Sequence, residues 1–130
     1  MSATILVVDD SATTRSLVAS YLAGWEDVEV LEAASGFEAL RVLPTHAVDV
    51  IVSDINMPDI NGLELISFVR ANPNYRRIPV VIISTESSAG DRKRGLELGA
   101  SDYLVKPFSA EELRGAVGAA LARRRREGGA

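Results

Sequence analysis

Five times along this chain an apolar run of strand length gives way to a segment of helical period, and no feature narrows its fold more. Strands that alternate with helices in this way build a parallel sheet with helices on both faces. Strands are predicted near residues 4–9, 27–32, 48–53, 79–84 and 102–106. Helices are predicted near 12–23, 36–43, 62–71, 88–98 and 110–123. The expected fold is thus α/β, doubly wound, with β1, α1 through β5, α5 in chain order.

Local signals support these elements. Ser35 with Glu38 and Ser109 with Glu112 have the capping-box spacing, in which hydroxyl and carboxylate satisfy orphan amides reciprocally. The first helix carries Leu17, Val18, Tyr21 and Leu22 on one face and the last carries Leu113, Val117, Ala120 and Leu121, so both sets are expected in the core. The fourth helix is the weak one, because Gly90 and Gly95 each cost about 1 kcal/mol relative to alanine in a helix interior. Mobility is expected there.

Composition closes off several classes of function. With 130 residues, 47% of them hydrophobic, the chain fits one domain with a real core. It has no cysteine, which excludes disulfides, thiolate metal sites and cysteine nucleophiles. Neither a signal peptide nor a stretch of membrane length is present, so no membrane association and a cytoplasmic location are expected. The net charge of −4 is uneven: Arg123–Arg126 and Glu127 supply +3, leaving −7 on residues 1–122. An acidic body argues against nucleic acid, whose backbone is held by clustered lysine and arginine. We divide the chain into a body, residues 1–122, and an arginine-rich tail, 123–130, whose cations complement a helix C-terminus.

The chemistry lies where strands end. Ile5–Val8 runs into Asp9-Asp10, Val48–Ser53 into Asp54, and Tyr103–Val105 into Lys106-Pro107, with Ser84 and Thr85 ending the fourth strand. In open parallel sheets the ligand site lies beyond the carboxyl ends of the strands, so three acids and a lysine are expected to meet there. A lone aspartate at a strand end is commonly a helix cap or a surface charge; the joint arrival of these residues at one edge points to a site. Two carboxylates ~4 Å apart repel by about 4 kcal/mol at an effective dielectric of 20, so something positive must sit among them. Lys106 supplies one charge, and the all-oxygen surroundings suit Mg2+. Asp54 reads as a phosphoryl acceptor, because a carboxylate attacking a phosphoryl donor forms an acyl phosphate. Asp59, after Pro58, reads as a structural turn residue.

Asp9-Asp10, Asp54 followed by Asn56-Met57-Pro58 and Gly62, Ser84, Gly99-Ala100 before Tyr103, and Lys106-Pro107-Phe108 together resemble the receiver domain of two-component response regulators over residues 4 to about 122. The resemblance implies a flavodoxin-like (βα)5 fold with strand order 2-1-3-4-5. It also implies that Asp54 takes a phosphoryl group from a histidine kinase, and that Asp10, Asp54 and the backbone carbonyl of Asn56 hold Mg2+, with Asp9 acting through water. Lys106 would pair with phosphoryl oxygens across a cis Lys106-Pro107 bond. Ser84 would bond the phosphoryl group, Tyr103 would be the switch aromatic, and Asn56 and Glu86 would flank the hydrolytic water. Thr85 departs from the family's usual small apolar residue and would narrow access to the phosphoryl group. The implied output is a downstream protein bound by the α4-β5-α5 face, which includes Arg92, Lys93, Arg94 and Tyr103.

Three rivals are weaker. An aspartyl phosphatase of the dehalogenase type needs Asp-x-Asp, and Asn56 cannot act as its general acid. A flavodoxin needs a hydroxyl and glycine loop where Asp9-Asp10 would repel a cofactor phosphate. A protein-interaction module independent of phosphorylation leaves the full set of acceptor residues without a purpose. The chain as given would act by binding another protein.

Overall fold

The computed structural model describes residues 2–85 and 89–127. Strands β1 (Ala3–Val8), β2 (Val28–Ala33), β3 (Val50–Asp54), β4 (Val80–Ser84) and β5 (Asp102–Val105) form one parallel sheet in the order β2-β1-β3-β4-β5. Helices α1 (Ala12–Leu22), α2 (Gly36–Val42), α3 (Gly62–Ala71), α4 (Ala89–Glu97) and α5 (Ala110–Glu127) follow the strands in turn. Both predicted strand order and element sequence are met. The last helix runs four residues beyond its predicted end.

β3 and β4 are buried at every position, because helices cover both faces of the sheet. Alternate residues serve opposite layers. Ile5 and Val7 of β1 pack with Val18 and Leu22 of α1 and Leu113 and Val117 of α5. Leu6 and Val8 pack with Ala39 of α2 and Leu65, Ile66 and Val69 of α3. Each of these valine, leucine and isoleucine side chains contributes about 1.5–3 kcal/mol by its burial. Strand order reverses between β1 and β3, so the chain leaves these strands in opposite directions and opens a crevice beyond their carboxyl ends.

Helix α1 corrects one core expectation. Val18 and Leu22, four residues apart, face the sheet, while Leu17 lies about 100° around the helix and is 40% exposed. Trp25 is half-buried against the α1–α5 layer, and His46 is exposed. The Lys106-Pro107 peptide is cis.

The helix starts show how tertiary structure completes a local signal. Ser109 and Glu112 form the full reciprocal box at 3.0 Å in both directions. Asn61 and Glu64 form another at the start of α3. At α2 the Ser35 hydroxyl accepts from Glu38 N–H at 3.1 Å, and two further N–H groups, of Gly36 and Phe37, donate to Asp59 from the β3–α3 loop. These bonds, that of Phe37 foremost, hold the Asp59 carboxyl down at about 2. Asp59 is structural, as its turn position predicts, but it caps a helix distant in sequence.

Helix α4 is tied at its C-terminal end to α3. Gly95 is its one buried residue among those described, while Arg92, Lys93 and Arg94 are exposed. Arg70 of α3 donates to the carbonyls of Arg76, Ile78 and Gly99, which ties the α4–β5 turn to α3. A Cβ on Gly95 would lie 3.7 Å from Leu63 and 3.8 Å from Tyr103, in ordinary contact. Gly95→Ala is therefore expected to stabilise the protein by about 0.5–1 kcal/mol, read as a higher urea midpoint with unchanged slope. A lower midpoint would mean that α4 packs more tightly than these distances allow.

Candidate functional site

Each acid reaches the site from a buried strand. Asp9 follows β1 directly and is fully buried, Asp10 is exposed on the way into α1, and Asp54 is the last residue of β3 at 6% exposure. Parallel pairing aligns β1 with β3, Val8 opposite Ser53, which brings these ends together. One carboxylate oxygen from each of Asp9, Asp10 and Asp54 lies within 4.8 Å of the others. Lys106 follows β5, and its backbone N–H donates to the Ser84 carbonyl at 2.7 Å. Its Nζ lies 3.1 Å from Asp9 Oδ2 and 3.9 Å from Asp54 Oδ2.

The local electrostatics are unbalanced. Burial first, and the Asp9 charge second, push the Asp54 carboxyl above its ordinary value; Lys106 and the backbone N–H groups of Asn56 and Ile55 pull it back in part. Among the described residues Lys106 pairs with two of the three clustered carboxylates, so negative charge is in excess. This all-oxygen set with residual negative charge fits a hard divalent cation.

The surrounding backbone fixes Asp54. Gly62 N–H donates to the Ile55 carbonyl at 2.9 Å, closing the β3–α3 loop over the strand end, and Ile55 N–H donates to the Ile83 carbonyl of β4. Asn56 is exposed on that loop and Ser84 is buried at the end of β4. Thr85, next to it, is exposed. Tyr103 stands apart from the acids: it pairs with Ile82 mid-strand, is 3% exposed and packs in the layer shared with α3. Glu86 lies outside the described residues.

Two groups near the site were not singled out from the sequence. Ser11 N–H donates to Asp9 Oδ1 at 2.8 Å, and its hydroxyl caps α1. Arg15 donates to the Asp9 carbonyl at 2.6 Å and to Glu32 at 3.0 Å. The first could have been read from a serine directly before a helix; the second depends on how α1 lies beside β2.

Residues 5–118 match the family described as the response regulator receiver domain. The chain belongs to the response regulator receiver family. Chemotaxis protein CheY1 of Helicobacter pylori (strain J99) is 41% identical over 113 residues, covering 85% of this chain and 90% of that protein. Transcriptional regulatory protein PrrA of Mycobacterium tuberculosis is 44% identical over 122 residues, covering 92% of this chain and 50% of the longer protein. Among solved structures, the chemotaxis response regulator CheY4 of Vibrio cholerae superposes with a TM-score of 0.84 at 37% identity, covering 93% of this chain and all of that one. Receiver domains serve phosphorylation-based two-component signalling as switch proteins, bind Mg2+ at an acidic pocket, and work with histidine kinases and downstream targets. Among the described residues no helix is long and apolar enough to cross a membrane.

Proposed function

We propose that this receiver is written to at Asp54, which accepts a phosphoryl group from a histidine kinase in an Mg2+-dependent reaction. The observation that carries the reading is Lys106 Nζ lying between the carboxylates of Asp9 and Asp54, with Asp10 completing a three-acid cluster. In the transfer, an Asp54 oxygen bonds to phosphorus while the bond from phosphorus to the kinase imidazole breaks; the ring, protonated on its other nitrogen, keeps the bonding pair and leaves as neutral histidine, and Asp54 becomes an acyl phosphate. Asp10, Asp54 and the Asn56 carbonyl would hold Mg2+, with Asp9 acting through water, and the ion would supply charge neutralisation at the phosphoryl oxygens. Lys106 pairs with one of those oxygens, and the Ser84 hydroxyl donates to another.

The same residues give the protein self-phosphorylation from small phosphodonors and self-dephosphorylation, with Asn56 and Glu86 as the residues that modulate hydrolysis. Bonds from Ser84 and Lys106 to a charged group are worth roughly 1.5–3 kcal/mol each, against ~5.5 kcal/mol needed to reverse a 1:99 equilibrium. They supply most of a switch whose readout is Tyr103 and the α4-β5-α5 face, offered to a downstream protein in the cytoplasm. Nucleic acid is not a partner of this acidic body.

Intact mass after incubation with Mg2+ and acetyl phosphate tests the reading. The parent is expected to gain one phosphoryl group and Asp54→Ala none. A folded parent that refuses the group from both acetyl phosphate and a kinase would leave a phosphorylation-independent interaction module as the better account.

A further inference from the structure

We propose that Arg15 is a positioning residue for the acidic site: fastened to Glu32, it sets the β1–α1 turn that presents Asp9 and Asp10 to the cation. The inference rests on the functional reading above and adds a residue to it. Arg15 Nη1 donates to the Asp9 backbone carbonyl at 2.6 Å, while Nε donates to Glu32 Oε1 at 3.0 Å. That carbonyl belongs to the peptide joining Asp9 to Asp10. A peptide is planar, so fixing its oxygen fixes the direction in which the chain delivers Asp10. The Asp9 carboxylate is held independently, by Ser11 N–H at 2.8 Å and Lys106 Nζ at 3.1 Å. Arg15 therefore acts on the delivery of Asp10, the exposed member of the acidic cluster.

The guanidinium is suited to this work because its donors form a rigid fork, one prong on the end of β2 and the other on the end of β1. Its side chain is 17% exposed and that of Glu32 46%. The positive charge alone would act the other way. A cation beside the site repels Mg2+, so removing the charge would tighten metal binding, whereas losing the fork loosens the turn and weakens it. The two roles predict opposite signs.

Titration calorimetry of the full chain with Mg2+ separates them, using the parent, Arg15→Lys, Arg15→Ala and Glu32→Gln. Groups that orient metal-binding residues typically cost 10–100-fold in affinity when lost, so a Kd weakened about tenfold is expected for both Arg15 variants. Arg15→Lys is expected to fail although it keeps the charge, and Glu32→Gln to shift in the same direction. At saturating Mg2+ the variants are expected to take phosphoryl from acetyl phosphate within about twofold of the parental rate, because Arg15 does not touch Asp54; general damage to the fold would lower that rate as well. Should Arg15→Ala not fold, Arg15→Lys and the half-exposed Glu32 position carry the test. Arg15 variants that bind Mg2+ as tightly as the parent, or more tightly, would overturn the inference alone. A parent that binds no Mg2+ would overturn the functional reading and this inference with it.

Discussion

Gly62→Ala is expected to cost about 3 kcal/mol or more of folding stability, at the upper end of what overpacking a site produces. A Cβ at this position would stand 2.5 Å from the Asp54 carbonyl oxygen and 2.9 Å from the Ile55 Cα. Both neighbours are backbone in or next to β3, so neither can rotate away as a side chain would. The Gly62 N–H is also committed to the Ile55 carbonyl at 2.9 Å, and relieving the clash would break that bond. Because Asp54 sits at this corner, the strain falls on the proposed phosphoryl acceptor itself. Urea denaturation of Gly62→Ala beside Gly115→Ala, whose added Cβ meets nothing within 4 Å, isolates the effect. Equal midpoints in the two variants would show that the β3–α3 corner yields more easily than its contacts imply. Any folded Gly62→Ala is expected to lose phosphoryl uptake along with stability.

The same corner shows what the sequence could and could not reveal. Strand ends were legible because a buried parallel strand is a short apolar run; Asp9 and Asp54 each terminate one, and Lys106 follows the partly buried edge strand β5. Their convergence followed from topology, since parallel strands in a doubly wound sheet end at one edge. What stayed hidden were contacts made across elements. Leu17 is indistinguishable from Val18 in composition, and only the pitch of α1 on the sheet decides which one is exposed. The Asp59 cap on α2, the Arg70 tie to Gly99 and the Arg15 link between β1 and β2 join residues 22–23, 29 and 17 positions apart (for Arg15, the span to Glu32). No local period encodes such pairings. The Asn61–Glu64 box, by contrast, was present in the sequence as an Asn-x-x-Glu start and needed only the helix boundary to be recognised.

The second large effect is an inversion of stability between the parent and Asp54→Asn. Folding raises the Asp54 carboxyl above its ordinary value of 3.8, chiefly by burial and by the Asp9 charge. Below 3.8 the group is neutral in both folded and unfolded chains and has no influence. As pH rises through the raised folded value, the unfolded chain ionises more readily, so stability is lost across that window and stays lost at neutral pH. Asparagine keeps the shape and carries no charge. In EDTA at pH 7, Asp54→Asn is therefore expected to unfold at a higher Tm than the parent, with the gap closing toward pH 3. Mg2+ reverses the order. A ligand at a hundredfold its Kd stabilises the folded state by about 2.7 kcal/mol, a gain open to the parent and largely denied to a variant missing one carboxylate of three. Thermal unfolding of both proteins with EDTA and with saturating Mg2+ reads the inversion directly. A parent that is already the more stable without metal would mean that Lys106 and the backbone donors compensate Asp54 in full, and the charge imbalance that calls for a cation at this site would not exist.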